Sequence, residues 1–215
     1  MNAVLSQQNM AELLERLGVP SARIRLQPPP GTATEADLLS INESGDSPLC
    51  ELIEGVLVEK PVGYFESRLA SLIVYFLECY LELNNLGIVL GADGPLRLFS
   101  GTVRVPDVSF ISWDRFPGRI LPKVQIPGLA PDLAVEVLSP GNTKKEMNRK
   151  IHEYFKSGTQ CVWMLDPKRR TMSVFLTPDK FIEYDEHQSV GGGTLLPGFQ
   201  LSLSRLFERA SQGQG

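Results

Sequence analysis

The chain has 215 residues, 42% hydrophobic and 21% charged, with a net charge of −4: the makeup of an ordinary globular protein with a real core. The acidic balance excludes indiscriminate coating of nucleic acid, while leaving a local basic cleft open. No apolar run reaches the length of a membrane span, because the longest, Leu69 to Leu83, is interrupted by Ser71, Glu78 and Glu82.

The first residues lack the basic start and apolar centre of a secretory signal. Cys50, Cys79 and Cys161 are too few and too widely spaced for a disulfide framework or a thiolate metal site. A reducing cytoplasm is therefore expected, with no membrane partner.

Taken in chain order, residues 1–20 predict a short helix with Met10, Leu13, Leu14 and Leu17 on one side. Residues 21–48 carry Pro28-Pro29-Pro30-Gly31 and read as a loop, with a short helix starting at the cap-like Thr34-Glu35-Ala36-Asp37. Residues 1–48 thus form an extension before a main domain over 49–210. Cys50 to Lys60 alternates around Glu54-Gly55 as a β-hairpin. Phe65 to Asn84 is the longest helical pattern, with Leu69, Leu72, Ile73, Phe76, Leu77 and Tyr80 in register. Strands follow at 87–91, 95–99, 103–111 and 132–138. A helix over Thr143–Ser157 stops at Gly158, and strands at 160–166, 171–176 and 180–185 come next. Gly191-Gly192-Gly193 reads as a loop, and a last helix falls near 202–209.

Several chemistries are excluded by counting. His152 and His187 are the only histidines, too few for a histidine-rich zinc or iron site. There is no Gly-x-Ser-x-Gly elbow, no phosphate loop ending in Lys-Ser or Lys-Thr, and no dinucleotide fingerprint after a strand. What remains is acids, a lysine and oxygen-seeking metals.

Glu136 sits in the apolar run Leu133-Ala134-Val135-Glu136-Val137-Leu138, where a buried carboxylate is costly unless a cation or hydrogen bonds compensate it. Asp132 lies four residues earlier on the same face, roughly 13 Å away at about 3.3 Å per residue. Two ligands of one magnesium ion lie within about 4 Å of each other, so these two cannot share it. Asp107, in the run Val103 to Ile111, can lie opposite Glu136 if the two strands pair. On the following helix Met147, Ile151, Tyr154 and Phe155 form one apolar arc at about 100° per residue. Lys150 falls at the margin of that arc, where a lysine can reach over a sheet end. Glu146 lies one step further toward solvent, and a plain i,i+4 pair with Lys150 is the competing reading. Lys144, Lys145 and Arg149 make a basic edge that reads either as a solvated helix face or as a contact for a nucleic-acid backbone. Lys168, Arg169 and Arg170 offer a second basic cluster.

Leu52-Ile53-Glu54-Gly55, Val105-Pro106-Asp107-Val108, Val135-Glu136-Val137-Leu138-Ser139-Pro140, Lys150 with Tyr154, Val162-Trp163, Asp166-Pro167 and Leu196-Pro197-Gly198-Phe199 together resemble the Uma2 (DUF820) family of the PD-(D/E)XK nuclease superfamily. The resemblance covers residues 49–208. It implies an α/β, restriction-endonuclease-like fold: a mixed central β-sheet flanked by helices, with an N-terminal β-hairpin extension and a metal-dependent phosphodiesterase site at one end. Asp107 matches the motif aspartate and Glu136 the acid of the next core strand. The usual lysine two places on is Leu138, and Lys150 stands at the displaced helical position instead. Glu51 and Glu146 match recurrent supporting acids. Phe65-Glu66-Ser67 replaces a histidine often found at the start of the long helix.

The resemblance implies that Asp107, Glu136 and the carbonyl of Val137 bind Mg²⁺ or Mn²⁺, with Lys150 as the catalytic lysine. The expected function is a metal-dependent endonuclease on DNA, with backbone contacts from Lys144, Lys145 and Arg149. Cutting both strands needs two sites, so a homodimer is the expected assembly. Two other readings stay open: a catalytically silent nuclease-like interaction module, and a hydrolase of RNA or nucleotides.

Overall fold

The structure, a computed structural model, describes residues 9–45, 48–61 and 63–211. The expected helix within 1–20 is α1 (Met10–Leu17); its first eight positions lie outside the described residues. The segment read as a loop holds a 3-10 turn at Ser21–Arg23, a bridge from Ile24 to Val58, and α2 (Glu35–Ser44). Thr34 caps α2 through a reciprocal capping box with Asp37.

The hairpin β1 (Cys50–Ile53) and β2 (Val56–Glu59) does not stand alone. With β4 (Leu96–Phe99) and β5 (Thr102–Arg104) it forms an antiparallel sheet of order β2-β1-β5-β4. Leu13, Leu17, Val19 and Ile24 pack on its Ile53, Val56 and Val58, so the N-terminal segment buries apolar surface on this sheet.

The central sheet runs β10 (Lys180–Tyr184), β9 (Thr171–Thr177), β8 (Cys161–Asp166), β7 (Leu133–Val137), β6 (Val108–Ser112), β3 (Gly87–Leu90). Only β7 and β8 pair in parallel, and α4 (Lys144–Ser157) makes the crossover between them. All five residues of β7 are buried, which explains its near-continuous apolar run. Val135 and Val137 face α3 (Tyr64–Leu81) and α5 (Leu203–Ser211), packing with Leu69, Ile73, Leu77 and Leu206. Ala134 faces α4, packing with Met147 and Ile151. Period-two alternation therefore turns Glu136 toward α4. Thr143 and Glu146 form the capping box that starts α4, and Gly158, at φ 98°, ends it.

Two expectations fail instructively. The run 103–111 is not one strand. It leaves the first sheet after Arg104 and enters the central sheet at Val108. Pro106 has no N–H to give a ladder, so the pairing breaks there. The triple glycine is not simply a loop. Gly191 and Gly192 end β11 (Ser189–Gly192), which pairs with β12 (Leu196–Ser202). A Cβ on Gly192 would come within 2.5 Å of the Leu196 backbone, so glycine is required by close strand approach, not by flexibility.

Candidate active site

The sheet switch at Val105-Pro106-Asp107 leaves backbone groups without a ladder, and charged side chains satisfy them. The Val105 N–H donates to Glu51 Oε1 at 3.0 Å, and its carbonyl accepts from Lys60 Nζ at 2.6 Å. The antiparallel register Val108↔Val135 sets Asp107, one step outside β6, opposite Glu136. Asp107 Oδ2 accepts from the Val137 N–H at 2.7 Å and its Oδ1 pairs with Lys60 Nζ at 2.8 Å. The backbone N–H and C=O of a strand residue point to one edge, so the Val137 carbonyl shares the edge that faces Asp107. Asp132 sits at the opposite end of β7, where it accepts from the Ser112 N–H and pairs with Arg115.

Lys150 does reach over the sheet. Its Nζ lies 3.1 Å from both Glu136 oxygens and 3.2 Å from Glu51 Oε1, with only 2% of the residue exposed. The Tyr154 hydroxyl donates to Glu136 Oε1 at 2.6 Å. Burial pushes the Glu136 carboxyl up, and the neighbouring Asp107 charge adds to this, outweighing the pull of Lys150 and Lys60. Burial pushes Glu51 up too, but Lys150, Arg104, Lys60 and the Val105 amide together hold it well below the usual carboxylate range. Burial works against the Lys150 charge, yet Glu136 and Glu51 raise its pKa above the ordinary lysine value. Lys150 is therefore an ammonium at neutral pH, suited to stabilise negative charge and not to accept a proton.

Behind Glu51 the network continues. Arg104 pairs with Glu51 at 2.7 Å and with Glu153 at 2.6 Å, all three side chains being buried. Removing one member of such a group strands charge in the interior. Arg104→Met is expected to cost about 3–5 kcal/mol, read as a lowered urea midpoint. A loss close to that of an ordinary surface substitution would show that Glu51 and Glu153 find other partners.

Glu146 corrects the sequence reading. It does not face solvent but is 1% exposed and forms a two-pronged pair with Arg23 at 2.7 and 2.8 Å. Burial pushes its carboxyl up, but the Arg23 hydrogen bonds and the Lys150 charge bring it below the ordinary value. The folded state thus binds fewer protons at this site than the unfolded chain. Its stabilising contribution is complete above the unfolded pKa, about 4.3, and is lost as pH falls through the lower folded pKa. Glu146→Gln should be less stable than the unsubstituted chain at pH 7, with the gap closing toward strongly acidic pH. Urea melts across that range check it; a gap that stays constant with pH contradicts it.

The basic edge divides. Lys144 and Lys145 are exposed, as expected. Arg149 is not a free cation: it pairs with Glu153 and Glu54 at 2.6 Å each and donates to the Arg16 carbonyl. Its place inside the ion network removes it from the set poised to touch a phosphate. A groove of about 510 Å³ opens beside the start of α4, lined by Glu66, Ser139, Asn142, Lys144, Asn148 and Lys168. It lies at the end of the sheet where β7 and β8 finish, and none of Asp107, Glu136, Glu51 or Lys150 lines it.

The residues fit an oxygen-seeking divalent ion. Asp107, Glu136 and the Val137 carbonyl are all hard oxygen donors, and a cation between the acids would offset both the burial and the Asp107 charge that raise the Glu136 carboxyl. No cluster of three or more His, Cys, Asp or Glu side chains with metal-binding placement occurs among the described residues.

Sequence reasoning missed Lys60, Arg104, Arg23 and the hydroxyl of Tyr154. Arg104 had a signal: an arginine between Val103 and Val105 in a strand-like run must find acids or break the strand. Lys60 carried none, since its side chain is recruited by a bend 45 residues later.

The fold is that of the restriction-endonuclease-like nucleases. The family model for Uma2, described as "Putative restriction endonuclease", matches residues 14–206, and the chain belongs to this family. The match reaches back beyond residue 49, where the motifs begin, into the segment that packs on the first sheet. A solved structure of a "putative nuclease belonging to DUF820" from Anabaena variabilis is similar at 25% identity and a TM-score of 0.67. The similarity covers 76% of this chain and 92% of that one. No functionally curated protein matches. No helix of the described residues is long and apolar enough to cross a membrane.

Proposed function

We propose that the chain is a metal-dependent endonuclease that hydrolyses DNA phosphodiester bonds, with Mg²⁺ or Mn²⁺ held by Asp107, Glu136 and the Val137 carbonyl. Held there, such an ion would supply Lewis-acid chemistry, polarising a scissile phosphate and lowering the pKa of a bound water. Tyr154 holds Glu136 in place through its hydroxyl. Lys150 stabilises the negative charge that develops on the phosphate in the transition state. Amides at the start of α4 and the ammonium groups of Lys144, Lys145 and Lys168 orient the nucleic-acid backbone along the groove. Cutting both strands calls for a homodimer, and three free cysteines among the described residues suit a reducing cytoplasm.

The observation that carries this reading is the meeting of Asp107 and Glu136 from two elements at one sheet end, with a buried lysine on Glu136. Incubating the protein with duplex DNA, single-stranded DNA and RNA, with Mg²⁺ or with a chelator, tests it. Chelator-sensitive internal cleavage of DNA is the expected result. Cleavage of RNA alone would move the substrate class.

A second reading has an observation in its favour. Both acids already carry an ammonium partner, Lys60 on Asp107 and Lys150 on Glu136. A silent interaction module would keep such a closed ionic core without ever binding metal. Calorimetric titration with Mn²⁺ separates the two, because only the nuclease reading requires binding.

A further inference from the structure

Lys60 has no part in the site as inferred from sequence, yet it is 5% exposed and ends on the candidate metal ligand. Lysine is almost never fully buried without a strong partner. Its backbone N–H closes the hairpin by donating to the Leu49 carbonyl, a bond that any residue except proline could make. What calls for lysine is the side chain, whose Nζ joins the Val105 carbonyl at the sheet switch to Asp107 Oδ1. With the Val137 N–H on Oδ2, both oxygens of Asp107 are held, so the carboxylate cannot rotate, while each oxygen keeps a lone pair free.

Charge counting gives Lys60 a second consequence. At the sheet end three carboxylates, Asp107, Glu136 and Glu51, meet two ammonium groups, Lys60 and Lys150. Behind this end Arg104, Arg149 and Arg16 with Glu153 and Glu54 add one positive charge; with all ionised, the end itself carries two positive less three negative, one net negative charge. A divalent ion would turn this into one net positive charge, the complement of a single phosphodiester. Without Lys60 the loaded site would be neutral, and a phosphodiester would leave it negative.

Resting on the nuclease reading above, we propose that Lys60 holds Asp107 in place while the site is empty and competes with the divalent ion for that carboxylate. It thereby weakens metal binding while leaving the loaded site attractive to the phosphate. A merely structural lysine would not produce opposite effects on metal and on nucleic acid.

The test uses the full chain, with Lys60→Met and Lys60→Arg. Calorimetric titration with Mn²⁺ should show Lys60→Met binding the ion at least tenfold more tightly than the unsubstituted chain, with Lys60→Arg close to it. In the presence of Ca²⁺, a DNA duplex should bind Lys60→Met at least tenfold more weakly. A readout independent of the variants is acetylation of Lys60 followed by mass spectrometry. Modification should rise severalfold when Mg²⁺ is added, as the ammonium leaves Asp107. Unchanged or weaker Mn²⁺ binding in folded Lys60→Met overturns the inference. So does acetylation of Lys60 that Mg²⁺ does not alter, which decides the matter if Lys60→Met fails to fold. If the unsubstituted chain binds no Mn²⁺ at all, the nuclease reading fails and this inference falls with it. If it binds Mn²⁺ and cleaves DNA while Lys60→Met does the same equally well, only the role of Lys60 is lost.

Discussion

Asp107→Asn and Glu136→Gln should each lower the proposed metal-dependent cleavage by about a thousandfold or more, as expected when an electrophile worth several kcal/mol loses an anionic ligand. Amide variants are the right probes. Each acid neutralises a buried ammonium group. Truncation to alanine would strand Lys60 or Lys150 and confuse loss of activity with loss of stability. The amides keep shape and an accepting oxygen while removing the charge. Single-turnover cleavage at saturating protein, with circular dichroism on the same samples, makes the measurement. Full activity in either folded variant removes the basis of the site.

Lys150 should behave differently from the surface lysines beside it. Its ammonium touches Glu136 and Glu51 and no solvent-facing group, whereas Lys144 and Lys145 are exposed at the start of the helix. Lys150→Met should cut turnover by about a hundredfold to a thousandfold, the range for loss of one transition-state contact. It should also destabilise the fold by about 3–5 kcal/mol, since two buried carboxylates lose a counter-ion. Lys150→Arg separates the two effects: it restores the charge and much of the stability but places a planar fork where a point charge is needed. Lys144→Ala and Lys145→Ala should leave turnover near that of the unsubstituted chain. They should weaken DNA binding and reduce its salt slope by about one unit each. Equal, modest losses in all three lysine positions would make Lys150 another structural charge.

Much of the architecture was legible because local chemistry speaks for it. The capping box at Thr34 and Asp37, the stop at Gly158, the alternation of the hairpin and the apolar run of β7 depend on neighbours within a few residues. Asp107 and Glu136 were legible as a pair because strand geometry forbids Asp132, four residues from Glu136, to share its ion. The resemblance to the family then ordered these pieces along the chain.

Long-range recruitment was not legible. The break at Pro106 divides one strand-like run between two sheets, a choice made by what each half pairs with and not by its own composition. Glu146 looked solvent-facing because helical spacing cannot see Arg23, brought in from 123 residues away. Arg149 looked free for the same reason. Alternation and capping act over one or two turns and are written into the chain, so the sequence by itself determined most of the elements and, with the family resemblance, singled out Asp107, Glu136 and Lys150. A buried charge is tolerated only where a distant partner meets it. Tertiary structure alone therefore decided which lysine holds which acid, and it placed Lys60 on Asp107.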